Sequence, residues 1–212
     1  MKLNNRGFIE TEAPGSTLQV APMLRGRLVA LKGVPVEKIT TGPDAQWVLY
    51  GDRGLSFSDV VPPGSRVVEG TWWAADHRGE PLVSFEVDLA RRLGLKIGDT
   101  VTVNVLGRNL TARIANLRQL AWESLNLNFV LVFSPSALEA APYKLLATVT
   151  LPKTAAPEAE IALARTMGKA FPATTQVRVK EAIARFNGIL EKVLIAVRVA
   201  GGVTLLAGAW CA

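Results

Sequence analysis

Apolar and polar positions alternate most clearly at residues 100–114. Val101, Val103 and Val105 alternate with Thr100, Thr102 and Asn104, Gly107–Arg108 turns the chain, and Leu110, Ala112 and Ile114 alternate with Thr111 and Arg113. A period of two on both sides of a short glycine turn predicts a β-hairpin. Further strands are predicted at Arg25–Leu31, Trp47–Tyr50, Leu55–Ser58, Leu82–Phe85, Phe129–Phe133, Leu146–Leu151 and Thr175–Val179. Lys32–Gly33 reads as a turn, and Val36–Ile39 as one helical turn.

Helical spacing appears in three places. Asp88–Leu95 carries Leu89 and Leu93 one turn apart and stops at Gly94. Pro157–Phe171 carries Ile161, Ala164, Met167 and Phe171, with Glu158 and Glu160 at its positive end. From Lys180 a longer helix is predicted, with Ile183, Phe186, Leu190, Val193, Leu194 and Val197 on one stripe and Glu181 and Arg185 paired a turn apart. Between Val193 and Trp210 its character changes, because Arg198 is the only charge there. A membrane span needs about 20 such residues. Gly201, Gly202 and Gly208 suit a membrane helix better than a soluble one. The expectation is a transmembrane helix that begins within this chain, with a buried core helix as the alternative.

Changes of texture at Pro62-Pro63-Gly64 and near Leu145 divide the sequence. The expected segments are a loose lead-in at 1–17, then 18–62, 63–144 and 145–180, and a stalk helix entering the membrane at 181–212.

The 212 residues, 49% hydrophobic and 20% charged, are enough for one large or two small folded domains and argue against global disorder. Met1–Ser16 is polar and has no apolar centre, so it is not a signal peptide, and an exported protein would carry this segment in its interior. The net charge of +6 raises the question of nucleic acid. The densest basic run, Arg91, Arg92 and Lys96, is short and lacks interleaved aromatics, so no nucleic-acid partner is expected.

Candidate chemistry is sparse. Cys211 is the only cysteine, so there is no disulfide framework within the chain. His77, the only histidine, sits in the turn Asp76–Gly79 and reads as a solvated loop residue. No nucleophile elbow, Walker loop or dinucleotide fingerprint occurs. Gly51-Asp52-Arg53-Gly54 has the wrong spacing for a phosphate cradle and reads as a turn. Glu86 and Asp88 frame a helix start. The expectation is no catalytic, cofactor-binding or metal site. The adjacent Trp72 and Trp73, read as strand residues on opposite faces, and Trp122 are the candidates for a partner or ligand surface.

Several runs, taken in order, resemble the FtsX-like permeases of ABC transporters, and within them a subfamily associated with lysophospholipase biosynthesis. They are Pro22–Ala30, Gly51–Leu55, Leu93–Thr100, Asn104–Arg108, Trp122–Ser124 and Asn128–Pro135. In that family an acidic residue often precedes the tryptophan that Trp122 matches. Here it is Ala121, which puts any contact made by that acid in doubt.

The resemblance implies an α+β fold like the MacB-type periplasmic domain. An α/β subdomain, split between 18–62 and 145–180, would hold a mostly β subdomain inserted at 63–144. It implies a bacterial inner-membrane protein whose domain faces the periplasm, without catalytic or cofactor residues. A cytoplasmic ABC ATPase would hydrolyse ATP, and the helix from Lys180 would carry its motion across the membrane, a mechanotransmission role. Lipid or lipoprotein cargo, or a periplasmic hydrolase, would be the partner. Self-association is expected through residues 193–210. The rival readings are a small-molecule or lipid-binding module and, more remotely, a soluble enzyme.

Overall fold

The computed structural model describes residues 4–122, 126–156 and 158–178. The chain divides into two compact units, one covering residues 1–153 and the other starting at Thr154.

The first unit opens with α1 (Asn4–Glu12) where a loose lead-in is expected. Ile9 and Ala13 are buried four residues apart, an apolar contact too short to register as a pattern. Next come β1 (Thr17–Leu31) and β2 (Val34–Pro35), joined at Lys32–Gly33, where both residues have positive φ. A single 3-10 turn, Val36–Lys38, follows as expected. Trp47–Tyr50, expected as a strand, lies instead at the end of helix α2 (Pro43–Leu49). Pro43 takes the first helical position, where its missing N–H costs nothing. Ala45, Val48 and Leu49 then form one buried helical face, while Trp47 and Tyr50 stay largely exposed.

The remaining strands and helices of this unit are β3 (Arg53–Phe57), β4 (Ser65–Gly70), β5 (Leu82–Glu86), α3 (Val87–Arg92), β6 (Thr100–Val105), β7 (Arg108–Leu120), β8 (Leu131–Phe133), α4 (Pro135–Leu138) and β9 (Lys144–Thr150). The β6–β7 hairpin forms in the expected place, but Leu106 and Gly107 make its turn and Val105 pairs with Arg108.

Strand pairing closes on itself. β1 pairs with β3, β3 with β8, β8 with β5, β5 with β7, β7 with β6, and β6 with β1. Gly26 meets Arg53 on one edge of β1 and Val105 on the other, which fixes β1 as a member of a ring rather than an end. The result is a six-stranded barrel, with two parallel pairs (β3–β8 and β5–β7) and four antiparallel ones. A barrel of this size is filled by its own inward side chains. Leu24, Leu28, Leu55, Val83, Phe85, Val103, Ile114 and Leu131 do this. Its strands come from both sides of Pro62, so 18–62 and 63–144 share one hydrogen-bonded sheet.

β1 outruns the barrel. Its first half, Thr17–Met23, pairs with β9 as an antiparallel ribbon from Thr17–Thr150 to Met23–Lys144. β4 adds to the outside of the ring along the far end of β7.

In the second unit α5 (Ala159–Ala170) lies within the expected helix, but its buried residue is Leu163, and Ile161 is exposed. The expected strand at Thr175–Val179 is absent over its described part: residues 175–178 have no regular structure, and Val177 is exposed. One alternating apolar position, Val177, is too little to hold a strand without a partner. The helix from Lys180, the apolar stretch 193–210 and the stalk segment 181–212 lie outside the described residues. Among the described residues no helix is long and apolar enough to cross a membrane.

Candidate interaction surface at two anchored loops

The three tryptophans singled out in the sequence have different surroundings. β4 ends at Gly70, whose φ is +78°, so Trp72 and Trp73 lie beyond the strand and do not alternate between faces. Their rings instead stack with centroids 4.1 Å apart and planes tilted by 30°. Trp72 Nε1 donates to the Asp59 carbonyl at 3.0 Å, and Trp73 Nε1 donates to the Ser58 carbonyl at 2.9 Å. Trp73 is only 7% exposed and offers no surface to a partner. Its role is to anchor the loop after β3, with Trp72 half-buried on top of it.

Trp122 follows the end of β7 and is 54% exposed. The Ala121 N–H donates to the Gly64 carbonyl at 2.9 Å, so this segment runs beside the loop at 58–64. Asn128 Nδ2 donates back to the Ala121 carbonyl at 3.1 Å. Val60 and Val61 on the neighbouring loop are also exposed. Three apolar side chains thus stand out from two loops that a backbone hydrogen bond ties together, one of them further anchored by the two indoles. Apolar groups held outward on an anchored frame suit protein or lipid contact.

Beneath these loops lies a group of residues that sequence patterning misses. Ser84 and Glu86 on β5 stand in register with Asn116 and Arg118 on β7. Their neighbours Phe85 and Leu117 belong to the barrel core, so the polar pairs occupy the outer wall. All four are nevertheless at most 1% exposed. Arg118 Nε donates to Ser84 Oγ at 2.7 Å, and its Nη2 donates to the Phe129 carbonyl at 2.9 Å. Burial pushes the Arg118 guanidinium down to about 10, against the pull of the Glu86 carboxylate. Glu86 Oε2 accepts from the Leu89 N–H at 2.8 Å and so caps α3, the helix start expected at this point.

The other charged candidates are paired locally. Of the basic run Arg91, Arg92 and Lys96, the two arginines bond Glu69 and Asp44 at 2.9 Å each. His77 Nε2 lies 2.9 Å from the Glu80 carbonyl within its own turn. Among the described residues no three His, Cys, Asp or Glu side chains converge as a metal site. Two depressions of about 160 and 190 Å3 lie elsewhere, one at Thr41, Gly42 and Arg92, the other at Arg27, Val36 and Tyr50. Both are smaller than the roughly 300–1,000 Å3 of ordinary ligand pockets.

Over 122 residues the chain is 34% identical to YbbP of Escherichia coli strain K12, described as an uncharacterized ABC transporter permease. The chain is similar to an ABC transporter permease. The match takes in 57% of this chain and 14% of that protein, so it concerns a small part of the relative's length. No family model matches. A solved domain of a protein named as a permease, from Porphyromonas gingivalis, superposes with a TM-score of 0.41 and 15% identity, over 77% of this chain and 74% of that one. That likeness is too loose to bear on function.

Proposed function

We propose that this chain is the extracytoplasmic domain of an ABC transporter permease subunit, without catalysis of its own. The observation that carries the reading is the 34% identity over 122 residues to a permease of that class. In this reading the parent protein sits in the bacterial inner membrane with this domain in the periplasm. A cytoplasmic ATPase subunit powers it, and the segment after Arg178 carries motion across the bilayer. The fold is then of the MacB-like, FtsX-like kind. The ribbon of β1 and β9 serves as the membrane-proximal part, and the barrel as the inserted one. Trp122, Val60 and Val61 meet a lipid, a lipoprotein or a periplasmic hydrolase. A small-molecule site is the weaker reading, because the depressions are small and Trp73 is enclosed.

Membrane topology of the parent protein tests this. Reporter fusions after Arg178 and beyond Ala212 are expected on opposite sides of the membrane, the first outside the cytoplasm. Both reporters on one side would remove the permease reading and leave a binding module.

A further inference from the structure

The outer wall of the barrel carries a second exposed surface. Leu24 and Leu28 point into the barrel from β1, so Arg25 and Arg27 point out of it, and both are exposed. Arg27 stands in register with Asn104 on β6, and Asn104 with Asn109 on β7. Asn104 Nδ2 donates to Asn109 Oδ1 at 2.7 Å. Beyond Val105, the partner of Gly26, the hairpin turn brings Leu106 alongside, 65% exposed. On the other edge of β1, Tyr50 and Gly51 line the depression of about 190 Å3 together with Arg27. Arg53 Nη2 donates to the Tyr50 carbonyl at 2.6 Å, and its guanidinium lies 5.0 Å from the centre of the Trp47 ring.

The arginines here are short of partners. Among the described residues Arg27 and Arg108 make no ion pair, and Arg25 reaches Asp52 at 3.7 Å with both side chains more than half exposed. Against Arg25, Arg27, Arg53 and Arg108 stand Asp52 and Glu37, so the face keeps a positive excess. A guanidinium fits a carboxylate with two parallel hydrogen bonds. Arg25 and Arg27 are two residues apart on one strand, about 7 Å, and alternate side chains of a second extended chain repeat at the same distance. Headgroups in a bilayer have no such fixed repeat. Arginine, tryptophan and tyrosine are also the residue types that anchor protein interfaces. The hydrogen-bonded strands β1, β6 and β7 hold the face ready before anything binds.

We propose that this face of β1 and the β6–β7 hairpin docks an extended acidic segment of a partner protein, whose carboxylates at alternate positions meet Arg25 and Arg27. Leu106, in the left-handed region at φ 50°, then has a use as an apolar flank of the site. Leu106 precedes β7 and Trp122 follows it, so this face is separate from the Trp122 loops and stands whether or not the transporter reading does.

Peptide titration of the full chain tests it, followed by amide chemical shifts and by the anisotropy of a labelled peptide. The probes are a peptide of about ten residues alternating Glu and Thr, and one of the same composition with its Glu residues in one block. The alternating peptide is expected to bind more tightly and to shift residues 25–27, 50–53 and 104–109. Arg27→Gln, at an exposed position, is expected to weaken it about tenfold, and Arg165→Gln on α5 to leave it unchanged. Equal binding of the blocked peptide, shifts spread over the basic surface, or an equal loss with Arg165→Gln would show charge attraction without a site and overturns the proposal. Binding to phosphatidylglycerol vesicles that Arg27→Gln abolishes, with no binding of either peptide, overturns it in favour of a lipid surface.

Discussion

Gly26 and Leu55 meet inside the barrel so closely that a Cβ on Gly26 would stand 2.6 Å from Leu55 Cδ1 and 2.9 Å from the Asn104 carbonyl oxygen. The leucine tip has nowhere to go, because Leu55 is fully buried, and the carbonyl belongs to the ladder itself. Gly26→Ala is therefore expected to destabilise the protein by about 1–3 kcal/mol, as overpacking does. Urea unfolding followed by circular dichroism measures this, and a variant as stable as wild type would mean that the two strands are further apart.

Leu106 holds the opposite kind of opportunity. It occupies the left-handed region with φ 50°, beside Gly107 at φ 82°, in the two-residue turn of the β6–β7 hairpin. An L-residue with a bulky side chain pays roughly 1–2 kcal/mol there, and asparagine pays less. Leu106→Asn is expected to raise the melting temperature while removing an exposed apolar group. An unchanged or lower value in a thermal melt counts against the turn as described.

Glu80 and Arg113 give a surface signal with a definite sign. The hydrogen bond from Arg113 holds the Glu80 carboxyl below its ordinary value of 4.5; desolvation opposes this, and the charges of Arg113 and His77 add to it. A carboxyl depressed in the folded state contributes stability that is present above about pH 4.5 and lost as pH falls through its lowered value. Glu80→Gln should flatten the acid limb of the stability curve below pH 4.5. A limb as steep as in wild type would show that the pair is not formed in solution.

The tryptophans can be told apart by quenching. Acrylamide reaches exposed indoles and spares enclosed ones, so Trp122→Phe should remove more of the quenchable emission than Trp73→Phe. Trp73→Phe should instead loosen residues 58–59, since its Nε1 bond to Ser58 is lost. Equal loss of quenchable signal from both variants would contradict the enclosure of Trp73.

How much of this was legible beforehand depended on how local the cause was. Val101, Val103 and Val105 announce β6 because alternation and a nearby turn suffice. Glu86 announces the start of α3 for the same reason. Trp47-Val48-Leu49-Tyr50 misleads, because aromatic and branched residues suit strands, and only Pro43 and the 45–48–49 face favour the helix. Ring closure joins Gly26 to Val105 and Leu55 to Leu131, and alternation names a face without naming a partner. As a buried wall the group escapes, though Glu86 is legible as a helix start: Ser84, Glu86, Asn116 and Arg118 alternate with apolar residues as any solvent-facing strand does. Only the loops that cover them, through Thr71 and Phe129, turn that face into an interior. The tryptophan pair was visible as a feature, but stacking depends on where β4 stops, and that rests on the backbone of Gly70.

The long strand β1 also sets a schedule for biosynthesis. Thr17–Leu31 pairs early with β2 and β3, which follow it directly, but its other partners are β6 and, for its first half, β9 at Lys144–Thr150. Until β6 and β9 arrive, the stretch Thr17–Met23 and the edge that β6 covers offer unpaired amides and apolar residues to any neighbouring chain. A topology dominated by such distant pairings folds slowly and exposes itself on the way. During translation β1 thus stays open to stray contacts until β9, more than a hundred residues further on, has been made.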